Sequence, residues 1–127
     1  MATVSATLRV NSDKASIDAA LEGLTRLNMV QLRAHGAQGR PVPPLMRAGV
    51  RWRRDKGETW DTIDIVRQRG YGDCEDLAAW LAAELRLKGI AAKAVVKRSR
   101  TPGVAWHAVV QLPSGAISDP SARLGMV

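Results

Sequence analysis

The sequence predicts an α+β fold, with helices and an antiparallel sheet in one domain of 127 residues. Three observations indicate this class: an alternating apolar pattern at residues 4–10, two segments with helical apolar spacing, and a final third rich in β-branched residues. A chain of this length supports one modest hydrophobic core. We therefore expect a single domain over residues 1–127, with a strand, a helix and a Pro-rich connector in residues 1–57 and a compact core in residues 58–127.

The N-terminal half begins with a predicted strand, because apolar and polar residues alternate from Val4 to Val10. Capping residues at 11–13 precede a helical pattern that continues to His35-Gly36. The connector over residues 36–44 contains three prolines, which exclude a helix or a central strand. Residues 45–70 favour short helices, one of them over Thr62–Arg69 with Ile63 and Val66 facing inward.

A second long helix is predicted to begin next to the only cysteine of the chain, Cys74. Asp73 is placed to cap it, and Asp76 three residues later approximates a capping box. An apolar stripe follows at helical spacing, and Gly89 ends the helix. The stripe consists of Leu77, Leu81 and Leu85.

The C-terminal residues predict an antiparallel meander with strands at 90–97, 104–112 and 116–119, ended by Pro120. If a three-residue loop makes Leu112 face Ala116, then Asp119 faces Val109 and lies diagonally from His107 on one face. A loop one residue longer or shorter would place the two side chains on opposite faces, so the turn decides whether they meet.

The composition restricts the function classes. One cysteine and two histidines provide neither an internal disulfide nor a zinc set, so we expect no metal and no cofactor. No signal peptide or transmembrane segment is evident, which predicts a cytoplasmic or virion-associated protein without membrane contact. The net charge of +7 favours an anionic partner, but the densest basic cluster, around Arg51, Arg53 and Arg54, lacks the repeated aromatics of a nucleic-acid platform. A solvated basic face is preferred over specific nucleic-acid binding.

Cys74, His107 and Asp119 occur in the order of a nucleophile, a base and an orienting acid. A helix N-terminus favours a thiolate, whereas the carboxylates of Asp73, Glu75 and Asp76 raise a thiol pKa. Each residue also has a structural interpretation: a small buried cysteine, a hydrogen-bonded strand histidine and a turn-forming Asp-Pro pair.

The segments Gly72-Asp73-Cys74-Glu75-Asp76, Trp106-His107-Ala108-Val109 and Asp119-Pro120-Ser121, with Gly89-Ile90 leading into a strand, resemble the transglutaminase-like superfamily of the papain-like cysteine protease group. The resemblance covers about residues 58–126 and is to the small bacterial and phage-borne members. It implies a papain-like core in which a catalytic helix packs on a short β-meander.

By this resemblance, Cys74 is the nucleophile, His107 the general base and Asp119 the residue that orients it. The implied reaction is attack of a thiolate on a peptide or side-chain amide, resolved by water in a protease or amidase and by an amine in a transglutaminase. The backbone N–H of Cys74 is expected to stabilise the oxyanion, and Gln68 and Trp60 are weaker candidates for that role.

An enzyme with a protein or peptide substrate is the function we favour from the sequence. The alternative is a virion-associated structural or adaptor protein of a tailed phage, a head-tail or tail component that uses the same fold to bind other virion proteins. The chain is similar to proteins encoded among tailed-phage structural genes, with its Glu58-Thr59-Trp60 run before the cysteine and its short tail after Asp119-Pro120-Ser121.

Overall fold

A computed structural model describes residues 13–54 and 59–126. Mixed helix and strand in these residues confirm the α+β class. The strand predicted at residues 4–10 lies outside the described residues. The described helices are α1 (Lys14–Ala37), α2 (Ile63–Arg69), α3 (Cys74–Leu87) and α4 (Pro120–Arg123), and the strands are β1 (Arg51–Trp52), β2 (Tyr71–Gly72), β3 (Lys93–Arg98), β4 (Trp106–Gln111) and β5 (Ile117–Ser118).

The three helices whose limits were predicted from the sequence, α1, α2 and α3, are present and begin and end close to the expected residues. Asp13 caps α1 by accepting the N–H of Ser16 at 2.8 Å. Gly70 ends α2 with a φ of 85°, a left-handed conformation that favours glycine. Asp73 and Asp76 form the predicted capping box of α3. These limits were predictable because caps are made by side chains within a few residues of the helix end.

The C-terminal strands form a three-stranded antiparallel sheet in the order β3-β4-β5. Val110 pairs with Ser118, and the N–H of Leu112 donates to Ala116 O at 2.9 Å. The loop between β4 and β5 therefore has three residues, with Gly115 at a φ of 89°. The predicted register is confirmed, so Asp119 faces Val109.

Three local predictions were wrong. A two-residue parallel pair, β1 with β2, stands where only short helices were expected, and Arg51 lies opposite Tyr71 in it. The strand predicted to begin at residue 90 begins at Lys93. Pro120 does not only end a strand but begins α4, in which its fixed φ suits the first helical turn.

The core lies between α3 and the sheet, with α1 packed beside α3 and β3. Trp80 on α3 is fully buried at its centre. The same hydrophobic cluster contains side chains from α3 and from the inner face of the sheet, including Leu77, Ala94, Val96, Ala108 and Val110. Alternate residues of β3 and β4 supply these contacts because side chains of a strand alternate between faces. The packing of α3 on the meander brings the start of α3 near β4.

Candidate functional site

The side chains at the start of α3 pack closely against the backbone of Gly72. A Cβ on Gly72 would lie 3.1 Å from the Cβ of Asp76 and 3.3 Å from side-chain atoms of Leu77 and Val66. Glycine therefore lets β2 lie directly against the first turn of α3. Only Asp73 separates this glycine from Cys74, so the position of the cysteine follows from the packing of β2.

A buried ionic network fixes the same turn. One carboxylate oxygen of Asp76 accepts the N–H of Asp61 at 2.7 Å, and the other accepts the N–H of Asp73 at 3.2 Å. Arg69 pairs with Asp76 at 3.0 Å and with Asp61 at 2.6 Å, and it donates to Tyr71 O at 2.8 Å. Burial nevertheless raises the pKa of Asp76 above its ordinary value. The network ties the segment before α2, the end of α2 and the start of α3 together.

His107 and Asp119 meet across the sheet as the register predicts. The Nε2 of His107 lies 2.8 Å from Oδ2 of Asp119. His107 is buried and Asp119 is half-buried. Because Asp119 occupies Nε2, the remaining ring nitrogen, Nδ1, is the one that can exchange a proton with another group.

Cys74 lies beside the same strand. The backbone N–H of Ala108, the residue after His107, lies close enough to the Cys74 sulfur to lower the pKa of its thiol. In a strand, the N–H groups of every second residue point to the same side. The N–H of Leu112, four residues after Ala108, donates to Ala116 O on the β5 side, so the Ala108 N–H also points away from β3. β5 ends before it reaches Ala108, because the chain turns into α4 at Pro120. Because β5 is short, it does not pair with Ala108, and the Ala108 N–H lies on the side of β4 where Cys74 is found.

The thiol of Cys74 has a raised pKa, whereas a helix N-terminus alone would lower it. Burial raises the pKa of its thiol well above the ordinary value, and the charge of Glu75 raises it further. Glu75 Oε2 lies 3.3 Å from the sulfur and accepts the thiol hydrogen. The helix N-terminus and the Ala108 N–H act in the opposite direction but are outweighed. The thiol is therefore protonated in this arrangement.

Asp73 completes the acidic surroundings of the sulfur. Burial raises the pKa of its carboxyl, and a side-chain hydrogen bond with Glu75 raises it further. Two carboxyl groups that share a proton carry less negative charge than two carboxylates. The sequence predicted both that these acids cap the helix and that their charge raises the thiol pKa, and the structure adds the hydrogen bond from the thiol to Glu75.

The two proposed oxyanion donors are not hydrogen-bonded to the cysteine in the described part of the chain. Gln68 is exposed on α2, and Trp60 is half-buried against the core. No hydrogen bond joins either side chain to Cys74 within the described part of the chain. Cys74 itself is the first residue of α3, so helix geometry gives its N–H no acceptor within the helix.

Sequence reasoning missed Arg69, Asp61 and Ala108. Asp61 and Arg69 lie 15 and 7 residues from Asp76, so their contact leaves no local pattern. Ala108 contributes through its backbone, which carries no residue-type signal.

The fold and these contacts define an α+β protein with a cysteine, a histidine and an aspartate at one edge of its sheet. No protein-family model matches the chain, and no curated protein or solved structure matches it significantly. Over residues 13–54 and 59–126, no helix combines the length and apolar character required to cross a membrane. In the same residues, no group of three or more His, Cys, Asp and Glu side chains could hold a metal ion.

Proposed function

We propose that the chain is a transglutaminase-like thiol hydrolase or acyl transferase in which Cys74, His107 and Asp119 act together. One observation carries this proposal: Nε2 of His107 lies 2.8 Å from Oδ2 of Asp119, and the next residue of the same strand, Ala108, has its backbone N–H beside the Cys74 sulfur. A nucleophile beside an oriented base is the arrangement that covalent catalysis requires.

The reaction would begin with transfer of the thiol proton to Nδ1 of His107 as sulfur attacks an amide carbonyl carbon. The tetrahedral intermediate would collapse to a thioester, and the leaving amine would take the proton from His107. Water or a second amine would then attack the thioester and release the sulfur. The N–H groups of Cys74 and Ala108 are backbone donors close to the sulfur, and the former is the better candidate for the oxyanion because no helical carbonyl accepts it.

The raised pKa of the Cys74 thiol favours one version of this chemistry. A cysteine that is a thiol at rest depends on proton transfer to His107 at the moment of attack, rather than on a preformed thiolate–imidazolium pair. Asp119 would stabilise the imidazolium that forms by holding Nε2.

The test is the rate of Cys74 alkylation by iodoacetamide from pH 5 to pH 11, in the wild type and in His107→Ala. We expect the wild type to react at least tenfold faster than the variant at pH 7.5, because only the wild type has a base to take the thiol proton. Cys74→Ala serves as the blank, and circular dichroism checks that both variants fold. Identical pH profiles in folded wild type and His107→Ala would refute the pairing of thiol and histidine.

Turnover is tested in parallel with fluorescently quenched casein and with incorporation of a dansylated amine into casein. Loss of either signal in Cys74→Ala, with an unchanged melting temperature, supports the proposal and separates hydrolysis from transamidation. A folded Cys74→Ala variant that retains turnover would contradict it.

A second candidate function is that of a structural or adaptor protein, such as a tailed-phage virion component. The observation in its favour is that burial and Glu75 hold the thiol protonated, as in a fold retained for binding. It predicts that Cys74→Ala assembles normally with its neighbours and that alkylation is slow and independent of His107.

A further inference from the structure

We infer that the end of the molecule formed by β1 and β2 is a docking surface for an acidic polypeptide segment. The surface comprises Arg51, Arg53 and Arg54 together with the ring of Tyr71, and we call it the β1 basic surface. All three arginines are exposed. None has a carboxylate partner among the described residues.

Two of the arginines, Arg51 and Arg53, are attached to hydrogen-bonded backbone. The N–H of Arg51 donates to Gly70 O at 3.1 Å, and the N–H of Arg53 donates to Gly72 O at 2.9 Å. Between them, the N–H of Trp52 donates to Leu124 O at 2.9 Å. A charged side chain on a fixed backbone loses less conformational entropy on binding than one on a mobile loop.

Arg53 is also ordered through its side chain. Its guanidinium lies 4.9 Å from the centroid of the Tyr71 ring, and that of Arg69 lies 4.6 Å from the same centroid. Stacking on an aromatic face leaves the N–H groups at the edge of the guanidinium free to bind a carboxylate with two hydrogen bonds. Arg69 is already paired with Asp61 and Asp76, so its charge is compensated.

Among residues 59–126, the acids near the β1 basic surface already have other partners. Asp76 is paired with Arg69, and Glu75 lies against the Cys74 sulfur. The surface is nevertheless close to Cys74, because three residues from Tyr71 to Cys74 span at most about 10 Å. If the proposed function holds, an acidic segment bound here belongs to the protein substrate, but the docking itself needs no active thiol.

A polypeptide fits this surface better than a nucleic acid. Single-stranded nucleic acid binds to basic grooves in which bases stack on open aromatic faces. Tyr71 is the only aromatic ring of this surface, and two guanidinium groups already lie over it. Carboxylates require only the free guanidinium edges.

The experiment measures binding of fluorescein-labelled hexaglutamate by fluorescence anisotropy at 50 and 200 mM NaCl. The test variant is Arg51→Glu/Arg53→Glu/Arg54→Glu, which lowers the net charge from +7 to +1 because each reversal changes it by two. The matched control reverses three other exposed arginines, Arg33, Arg40 and Arg100, and has the same net charge.

We expect at least tenfold weaker binding for the test variant than for the matched control at 50 mM NaCl. Arg53→Lys keeps the charge and loses the paired donors, so it should weaken binding about threefold. Equal affinities of the two triple variants for hexaglutamate would overturn the inference. It would also be overturned if a labelled 20-nucleotide DNA strand bound more tightly than hexaglutamate and lost this binding in the test variant. Cys74→Ala should bind like the wild type, so failure of the docking surface is distinguishable from failure of the proposed chemistry.

Discussion

At the scale of single residues, Asp119 has two structural roles. Its Oδ2 binds Nε2 of His107, while its Oδ1 accepts the N–H of Ala122 and caps α4. The sequence marks it as a turn former before Pro120, which explains the cap but not the histidine contact. The three-residue loop after Leu112 supplies the second role by setting the register.

Asp119→Ser should separate these two roles. Serine caps helices well but is too short to reach the imidazole, so we expect the free energy of unfolding to fall by less than about 1 kcal/mol. In Asp119→Ser, Cys74 should be alkylated almost as slowly as in His107→Ala, because the imidazole ring is no longer oriented. Urea denaturation and iodoacetamide rates measure the two effects. Unchanged alkylation would show that Asp119 serves only as a cap.

At the scale of elements, a polar stripe on α1 caps the start of α2. The N–H of Ile63 donates to Asn28 at 3.0 Å, and the N–H of Asp64 donates to Gln31 at 3.0 Å. His35 then binds the Asp64 carboxylate at 2.7 Å. Thr62, the N-cap residue, makes no capping bond with its own side chain. A seven-residue helix is thus held by a helix some thirty residues away.

Asn28→Ala should destabilise the protein because it leaves the buried N–H of Ile63 without an acceptor. The expected cost is about 1–3 kcal/mol in the free energy of unfolding, the usual penalty for a buried unsatisfied donor. Arg33→Ala on the exposed face of α1 is the control and should change stability by less than about 0.5 kcal/mol. Equal stabilities of the two variants, measured in urea, would show that the inter-helix cap contributes little.

At the scale of the whole molecule, an ion pair between Arg86 and Glu22 joins the two long helices, α3 and α1. Arg86 on α3 binds both oxygens of Glu22 on α1, at 2.5 and 2.6 Å, and Arg26 binds one of them at 2.8 Å. Hydrogen bonding to Arg86 lowers the pKa of Glu22 to about 2. Arg86 also donates to Ala92 O, so the same side chain reaches the segment that enters β3.

This pair predicts the acid sensitivity of the fold. A carboxylate whose pKa is lower in the folded than in the unfolded chain stabilises the fold above its ordinary pKa of 4.5, and the stabilisation is lost as pH falls toward 2. Because Glu22 is about one-third exposed, we expect about 1 kcal/mol at pH 7. The stability difference between wild type and Glu22→Gln, measured in urea, should close between pH 5 and pH 2. A difference independent of pH would contradict this account.

The sequence by itself determined the local features: the limits of α1, α2 and α3 and the capping box at Asp73. Their hydrogen bonds join residues a few positions apart, so side-chain type and spacing decide them. It could not determine the β1–β2 pair or the inter-helix cap, which join residues distant along the chain. The Asp61–Arg69 contact and the β4–β5 register were also left to the structure, because the geometry of the intervening loops decides them. The papain-like core and the catalytic roles stay predictions.

Only the tertiary structure decided the state of Cys74. The sequence placed it at a helix N-terminus, where backbone N–H groups favour a thiolate. In the folded chain Cys74 is partly buried, and this desolvation is the largest effect that raises the thiol pKa; the neighbouring Glu75, which accepts the thiol hydrogen, raises it further. The physical reason is that desolvation depends on the surrounding atoms, which belong to distant parts of the chain, whereas a helix end is defined by its own residues.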